Sequence, residues 1–298
     1  MYHSNALVVK SSAFVALAAL CWGLSGGIGS ILLAEGWSAF VVALCRGAIG
    51  FLFVLVWLLL RPHNSGLANP RLWFWSAIAG LGVTGNFTFY FMSIGEGSVA
   101  VAATLMYCAP VFVYLVSFGL KLERPTPLKL TAICVVILGI VLLTGVYDTG
   151  GNKITLIGVV AGLLAGLSYS IFIFGFKYAA PYGSPQAILV IALALLSSIL
   201  SWPGETGQTI AVLTSPDWPL FAALGVLGAG LSFILYIVGL NQTAPTTASI
   251  MAMIEPVTAS LFGVLLLNES IGGLQYVGMA LILITVTILS FNSSREAR

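Results

Sequence analysis

Two charged side chains lie inside long apolar runs of the sequence, where charge is rare. Glu255 directly precedes Pro256 in the run APTTASIMAMIEPVTASLFGVLLLNE, and Arg46 lies in an earlier run. At about 1.5 Å per residue, a helix beginning at Ala244 would carry Glu255 about 16 Å along its length, near the centre of a hydrocarbon layer of about 30 Å. Glu255 could bind a substrate ammonium group or exchange a proton, or it could form a structural ion pair with Arg46. A neighbouring arginine would favour the ionised carboxylate, which argues against obligatory proton coupling.

Aromatic and polar side chains at similar depth form a second group of candidates. Aromatic faces can stack on an apolar ligand or attract an ammonium group, and a few polar groups can orient a ligand between mostly apolar walls. Alternatively, tyrosine and tryptophan anchor helices at the membrane interface, and an amide in lipid simply needs a partner. The predicted substrate-binding residues are Trp22, Ser25, Asn86, Tyr90, Tyr107, Ser168, Tyr169, Tyr236 and Glu255.

Glycines and prolines form a third group, because they shape the helices that would hold such a site. Small residues let helix backbones approach closely and slide, although close packing alone is the simpler interpretation for any one glycine. A proline inside a helix removes one hydrogen bond and frees the carbonyl four residues earlier, which for Pro256 is the carbonyl of Ala252. The predicted structural or gating residues are Arg46, Pro110, Pro256, Gly23, Gly82 and Gly228.

The composition identifies the kind of chain that carries these residues. The 298 residues are 59% hydrophobic and 7% charged, and the mean hydropathy is +1.09, whereas soluble proteins contain about 25% charged residues. The sequence therefore predicts an all-α integral membrane protein. A net charge of +2 gives no reason to expect nucleic acid as a partner.

Several chemistries have no supporting pattern in the sequence. The four cysteines all lie in apolar runs, so we expect packed thiols and no disulfide framework. His3 and His63 lie in polar segments, and no GxxxxGK[ST] phosphate-binding loop is present. We therefore expect no cofactor, no metal ion and no enzymatic activity.

Ten apolar runs bounded by proline, glycine and charge predict ten transmembrane helices. They lie at about residues 11–33, 38–60, 71–94, 98–120, 127–145, 154–177, 185–202, 218–240, 244–267 and 271–291. Of the 11 lysine and arginine residues, Arg46 lies within a run, only Lys153 falls on the side opposite the N-terminus, and the other nine fall on the N-terminal side. The excess of positive charge predicts that both termini are cytoplasmic.

The two halves of the chain repeat one another. A shift of 146 positions superimposes Tyr90 on Tyr236, Pro110 on Pro256, Gly82 on Gly228 and Glu123 on Glu269. Each half contains five predicted spans, an odd number, so the halves enter the membrane from opposite sides. We therefore predict two inverted five-helix repeats, residues 1–148 and 149–298, an arrangement that places a binding site near the bilayer midplane.

Several of these residues together resemble a known family. Trp22-Gly23, Arg46 and the pairs Pro110…Glu123 and Glu255-Pro256…Glu269 resemble the drug/metabolite transporters, specifically the EamA-type branch with ten helices. The resemblance implies a two-repeat exporter of small metabolites, with amino acids as a prominent substrate class and bacterial exporters of aromatic amino acids as the nearest type. Cys108-Ala109-Pro110 lacks an acid where the second half has Glu255, so a symmetric pair of carboxylates is not available.

Together with this resemblance, the sequence predicts a secondary-active or facilitative transporter of the inner membrane that works by alternating access around a midplane cavity. As the resemblance implies, it would export small metabolites, most readily amino acids, including those with aromatic or hydrophobic side chains. A passive channel is one alternative, but it calls for a continuous polar lining and rings of charge. An intramembrane enzyme is another, but it calls for a nucleophile with a neighbouring base or acid. The expected partners are a small-molecule substrate and the lipid bilayer.

Overall fold

A computed structural model of the chain describes residues 2–62, 64–119, 126–144, 155–202, 206–240 and 254–296. The regular elements in these ranges are helices. Five of the described helices are long and apolar enough to cross a bilayer, and four shorter ones are also apolar. The predicted all-α membrane architecture of ten spans is confirmed.

The described residues of the first half form six helices, against five predicted spans. They are α1 Tyr2–Ala34, α2 Ala39–Leu60, α3 Pro70–Gly95, α4 Val99–Met106, α5 Ala109–Gly119 and α6 Pro127–Thr144. Side-chain caps mark the start of three of these helices. The side chains of Ser38, Asn69 and Ser98 accept a hydrogen bond from a backbone N–H in the first turn of α2, α3 and α4, respectively.

The second half repeats this order with two additions. It contains α7 Leu156–Ala179 with a 3₁₀ turn at Ala180–Tyr182, α8 Pro185–Leu200, the short α9 Thr206–Ala211, α10 Trp218–Gly225, a π-helical turn at Val226–Gly230, α11 Leu231–Leu240, α12 Ile254–Leu266 and α13 Gly273–Glu296. The eighth span is therefore one continuous rod of α10, the π turn and α11. The additions are α9, which lies between the seventh and eighth spans, and the π turn itself.

The fourth span is interrupted where the sequence places Pro110. Helix α4 ends at Met106 and α5 begins at Ala109, because a proline cannot donate to the carbonyl four residues earlier. Short turn bonds, from the Cys108 N–H to the Leu105 carbonyl and from the Val111 N–H to the Cys108 carbonyl, bridge the gap. The corresponding carbonyl in the second half, that of Ala252, lies outside the described residues.

The helices pack in the same pattern in both halves. Helix α3 packs along α7, and its counterpart α10–α11 packs along α1; α4 and α5 contact α7, and their counterpart α12 contacts α1. The two pairs that relate a helix to its own counterpart, α2 with α8 and α6 with α13, are also in contact. The first, third, sixth and eighth spans consequently meet at the centre, where each half contributes equivalent surfaces.

Candidate functional site

A cavity of about 350 Å³ lies at this centre. Its volume falls within the range of small-molecule sites, roughly 300–1,000 Å³. Seven spans contribute to its walls. The lining residues are Trp22, Arg46, Val83, Asn86, Phe87, Tyr90, Met106, Tyr169, Phe172, Ile173, Phe176, Lys177, Phe233, Tyr236, Ile237 and Glu255.

Aromatic rings form a continuous wall across the two halves. The ring of Trp22 on α1 lies 5.1 Å from that of Tyr236 and 5.5 Å from that of Phe233, both on α11. Phe172 on α7 extends the wall, with its ring centre 6.2 Å from Phe233 and 6.1 Å from Tyr169. These separations are typical of tilted and edge-to-face aromatic pairs. The cavity therefore presents both ring faces and ring edges to a ligand.

Glu255 places a carboxylate in this mostly apolar cavity. The side chain is 5% exposed, and the Tyr107 hydroxyl donates a hydrogen bond to its Oε2 at 2.8 Å. The described residues provide no hydrogen-bond donor for Oε1. Helix α1 approaches this point closely, since a Cβ on Gly23 would lie 2.7 Å from the Glu255 carbonyl oxygen. Glu255 is thus held on one oxygen and can accept a hydrogen bond from a ligand on the other.

Arg46 also lines the cavity, but its guanidinium is held by neutral groups. Its Nε and Nη2 donate to the carbonyl oxygen of Gly228 at 3.2 and 3.0 Å, and its Cζ lies 4.0 Å from the ring centre of Phe87. No nitrogen of Arg46 comes within 4.0 Å of a Glu255 carboxylate oxygen. The direct Arg46–Glu255 ion pair considered from the sequence is therefore not formed, although the two charges are close enough to attract each other.

Asn86 and Tyr90 lie on the same face of α3 and reach the cavity one turn apart. The Asn86 amide nitrogen donates to the Ala165 carbonyl on α7 at 3.1 Å, which satisfies the amide and joins α3 to α7. The Tyr90 hydroxyl is buried and has no hydrogen-bond partner in the described part of the chain. It lies against α1, where a Cβ on Gly26 would come within 2.4 Å of the hydroxyl oxygen.

Three predicted substrate-binding residues lie next to the cavity and not in its lining. Tyr107 contacts the Glu255 carboxylate from the break between α4 and α5. The Ser25 hydroxyl donates to the Trp22 carbonyl of its own helix at 2.8 Å, and the Ser168 hydroxyl faces Gly85, whose Cβ would lie 2.5 Å away. The two serines occupy helix-packing positions. The other six predicted residues, Trp22, Asn86, Tyr90, Tyr169, Tyr236 and Glu255, all line the cavity.

The predicted structural glycines lie at equivalent helix crossings. A Cβ on Gly82 would lie 2.8 Å from the Ser168 carbonyl oxygen on α7, and a Cβ on Gly228 would lie 3.0 Å from the Ser25 hydroxyl on α1. Pro110 and Pro256 lie in the first described turns of α5 and α12. These positions fit a packing role, and movement at any of them stays a prediction.

Nine lining residues were missed by sequence reasoning. They are Val83, Phe87, Met106, Phe172, Ile173, Phe176, Lys177, Phe233 and Ile237. Several are spaced three, four or seven residues from a predicted one, as on one face of a helix: Phe172, Ile173 and Phe176 follow Tyr169 in this way. Helical spacing from Tyr169 would have found these three, but Met106 and Ile237 directly precede or follow a predicted residue and have no such signal. Lys177, which the sequence assigns to the end of a span, shows that the cavity reaches the last turn of α7.

The lining chemistry suits binding. The residues in contact with the cavity offer one carboxylate, one guanidinium, one amide, one lysine and several phenols, with no serine, cysteine or histidine among them. Within the described ranges no three histidine, cysteine or acidic side chains are grouped as metal ligands.

Sequence comparisons relate this chain to membrane transporters, and a structural comparison shows a shared fold. A model of the EamA-like transporter family matches residues 10–145 and again residues 156–291. An uncharacterized transporter of Archaeoglobus fulgidus is 32% identical over 203 residues, which cover 67% of this chain and 70% of the relative. The uncharacterized inner membrane transporter YicL of Salmonella typhimurium is 27% identical, with 95% of this chain and 96% of the relative covered. A crystal structure with 18% sequence identity superimposes with a TM-score of 0.60 over 97% of this chain and 99% of the other, which shows a shared fold.

Proposed function

Because this chain belongs to the EamA-like transporter family, we propose that it exports amino acids with aromatic or other hydrophobic side chains. It is a multi-pass transporter of the inner membrane, like its relatives named as inner membrane transporters. The substrate class, the direction of transport and the transport mechanism proposed here go beyond the family and the membrane location.

The observation that carries the proposal is the Glu255 carboxylate, half-satisfied within an aromatic cavity. Oε2 accepts from Tyr107 at 2.8 Å, which leaves Oε1 for an ammonium group. The rings of Trp22 and Tyr236, 5.1 Å apart, line the same cavity and can hold both an ammonium group and an aromatic side chain. A primary amine on a hydrophobic side chain matches both features at once.

The arrangement of the two repeats around this cavity supports alternating access as the proposed mechanism. The lining extends to Lys177 in the last turn of α7, an end that the distribution of lysine and arginine predicts to be cytoplasmic. At the opposite end, the Val99 N–H in the first half donates to the Glu269 carboxylate in the second at 2.9 Å. This contact supports a conformation that is closed toward the outside and loads substrate from the cytoplasm, as export requires.

Counterflow in proteoliposomes tests the proposal. Vesicles containing the purified protein and loaded with unlabelled phenylalanine should accumulate labelled phenylalanine with saturable kinetics, and a proton gradient imposed separately would reveal any coupling. Glu255→Gln should abolish this uptake because the amide cannot neutralise an ammonium group, and Glu255→Asp should retain part of it. Glu35→Gln alters an exposed loop carboxylate and serves as the matched control.

Two results would count against this function. Absence of saturable counterflow with every aromatic or aliphatic amino acid would exclude the substrate class. Full activity in Glu255→Gln would remove Glu255 from the mechanism, even if amino acids are carried.

A further inference from the structure

Arg46 has unused hydrogen-bonding capacity that faces the cavity. A guanidinium carries five N–H donors, and two nitrogens of Arg46, Nε and Nη2, donate to the same acceptor, the Gly228 carbonyl. The described part of the chain provides no further acceptor for it and no carboxylate within 4.0 Å. The side chain is 5% exposed, and it is one of the residues that line the cavity. A buried cation therefore lacks an anion in direct contact.

The π turn in the eighth span fits closely around this guanidinium. Gly228 lies in the middle of the π-helical turn Val226–Gly230, and such turns are frequent at functional sites. A Cβ on Gly228 would lie 2.6 Å from Arg46 Nε and 3.1 Å from its Cδ. Only a glycine here lets the guanidinium reach the carbonyl oxygen.

Two aromatic rings lie close to the same guanidinium group. The Cζ of Arg46 lies 4.0 Å from the ring centre of Phe87 and 5.7 Å from that of Phe91, distances at which ring faces attract a cation. The carbonyl and the rings orient the guanidinium without neutralising it. Burying a charge is costly unless an opposite charge and hydrogen bonds compensate it, and a fixed guanidinium fork matches a carboxylate.

We propose that Arg46 binds the carboxylate of the transported molecule and that Gly228 is a positioning residue for it. This inference rests on the proposed function and narrows it to zwitterions: Glu255 takes the ammonium group, Arg46 takes the carboxylate, and the aromatic wall takes the side chain. Phenylalanine should then be preferred both to the amine that lacks its carboxylate and to the acid that lacks its ammonium group.

Competition with three related compounds tests the role of Arg46. Inhibition of counterflow is measured for phenylalanine, 2-phenylethylamine and 3-phenylpropionate, which share the phenyl group and differ in their charges. The wild type should bind phenylalanine about 10- to 100-fold more tightly than 2-phenylethylamine, the range expected for hydrogen bonds to charged groups. Arg46→Gln should remove this preference while affinity for the amine changes little. Arg46→Lys, which keeps the charge and loses the fork, should give an intermediate ratio.

Substitution in the π turn tests the positioning role. Gly228→Ala should displace the guanidinium and lower the preference for phenylalanine over the amine at least severalfold. Gly230→Ala is the matched control, because it places the same methyl group in the same turn against the half-exposed Phe53 ring at 2.9 Å. That variant should keep the wild-type ratio. A purely structural glycine would lower transport of both compounds equally and leave the ratio unchanged.

The outcomes separate this inference from the proposed function. If the wild type takes up phenylalanine but binds the amine equally well, or if Arg46→Gln keeps the preference, Arg46 does not bind the carboxylate while amino-acid transport still stands. If the wild type takes up no amino acid, the proposed function itself fails. Should the Arg46 variants not fold, thermal stabilisation of the wild type by the three compounds decides the question, because equal stabilisation by phenylalanine and the amine would overturn the inference.

Discussion

Tyr107 donates its hydroxyl hydrogen to the buried carboxylate of Glu255 at 2.8 Å, although the two residues belong to different halves of the chain. A hydrogen bond to a buried charge is worth about 1.5–3 kcal/mol. The bond therefore contributes to the orientation of the carboxylate and to the association of the two repeats.

We expect a double-mutant cycle with Tyr107→Phe and Glu255→Gln to show this coupling. Each single variant should unfold at lower temperature or denaturant concentration, and the double variant should lose less than the sum, by roughly 1–3 kcal/mol. Tyr276→Phe, at a 48% exposed position on α13, should have almost no effect. Strictly additive losses would show that the hydroxyl and the carboxylate act independently.

In the site, the depth of the residues in the membrane could be predicted from the sequence, but the direction of their side chains could not. The depth of Trp22, Tyr236 and Glu255 followed from their position along apolar runs, and all three line the cavity. The sequence does not show which way a side chain points, because the hydroxyl of a serine such as Ser25 can donate a hydrogen bond to a carbonyl of its own helix. Phe87 was missed because a phenylalanine in lipid carries no sign of which face meets a cavity.

At the scale of single elements, helix ends and breaks were predictable to different degrees. The interruption before Pro110 follows from a missing N–H, which the sequence displays directly. The π turn at Val226–Gly230 could not be predicted in the same way, because its glycines are equally compatible with a closely packed regular helix. The turn contacts the Arg46 side chain from α2, a segment that is distant in the sequence.

The connection between α12 and α13 carries a second acidic residue whose ionisation can be tested. The Glu269 carboxylate accepts hydrogen bonds at the start of α4, including one from the Val99 N–H at 2.9 Å. Burial raises the pKa of the Glu269 carboxyl above its usual range, and the hydrogen bonds from Val99, Ala100 and Ser98 oppose this shift. Because the folded state favours the protonated form, the contribution of this group to stability is complete below the unfolded pKa of about 4.3 and is lost as the pH rises through the raised value.

We therefore expect Glu269→Gln, which cannot ionise, to gain stability relative to the wild type as the pH rises from about 4 to 7. Thermal unfolding of both proteins in detergent at several pH values measures the difference. Thr214→Ala, which alters a neutral side chain at an exposed position, should show no such trend. A difference in Tm between Glu269→Gln and the wild type that stays constant, or reverses, across this range would contradict the assigned shift.

For the whole molecule, the number of membrane spans could be predicted from the sequence, but the position and the lining of the cavity between them could not. Hydrophobic length is a local property, so ten runs of sequence indicate ten spans. The family model matches two successive segments, residues 10–145 and 156–291, in agreement with the repeat detected at a shift of 146. The cavity lies where α1, α3, α7 and α11 meet, with further walls from α2, α4 and α12, and the faces that meet there are set by packing between the two halves.

The orientation of the molecule in the membrane is the remaining prediction at this scale. Nine of the 11 lysine and arginine residues fall on the side of the N-terminus, so both termini should be cytoplasmic. In a background without the four native cysteines, Thr214→Cys should react with a membrane-impermeant maleimide in intact cells. Ala68→Cys, Ser4→Cys and Ala297→Cys should react only after the membrane is permeabilised. Labelling of the two chain ends from opposite faces would require an odd number of spans and would be incompatible with two inverted five-helix repeats.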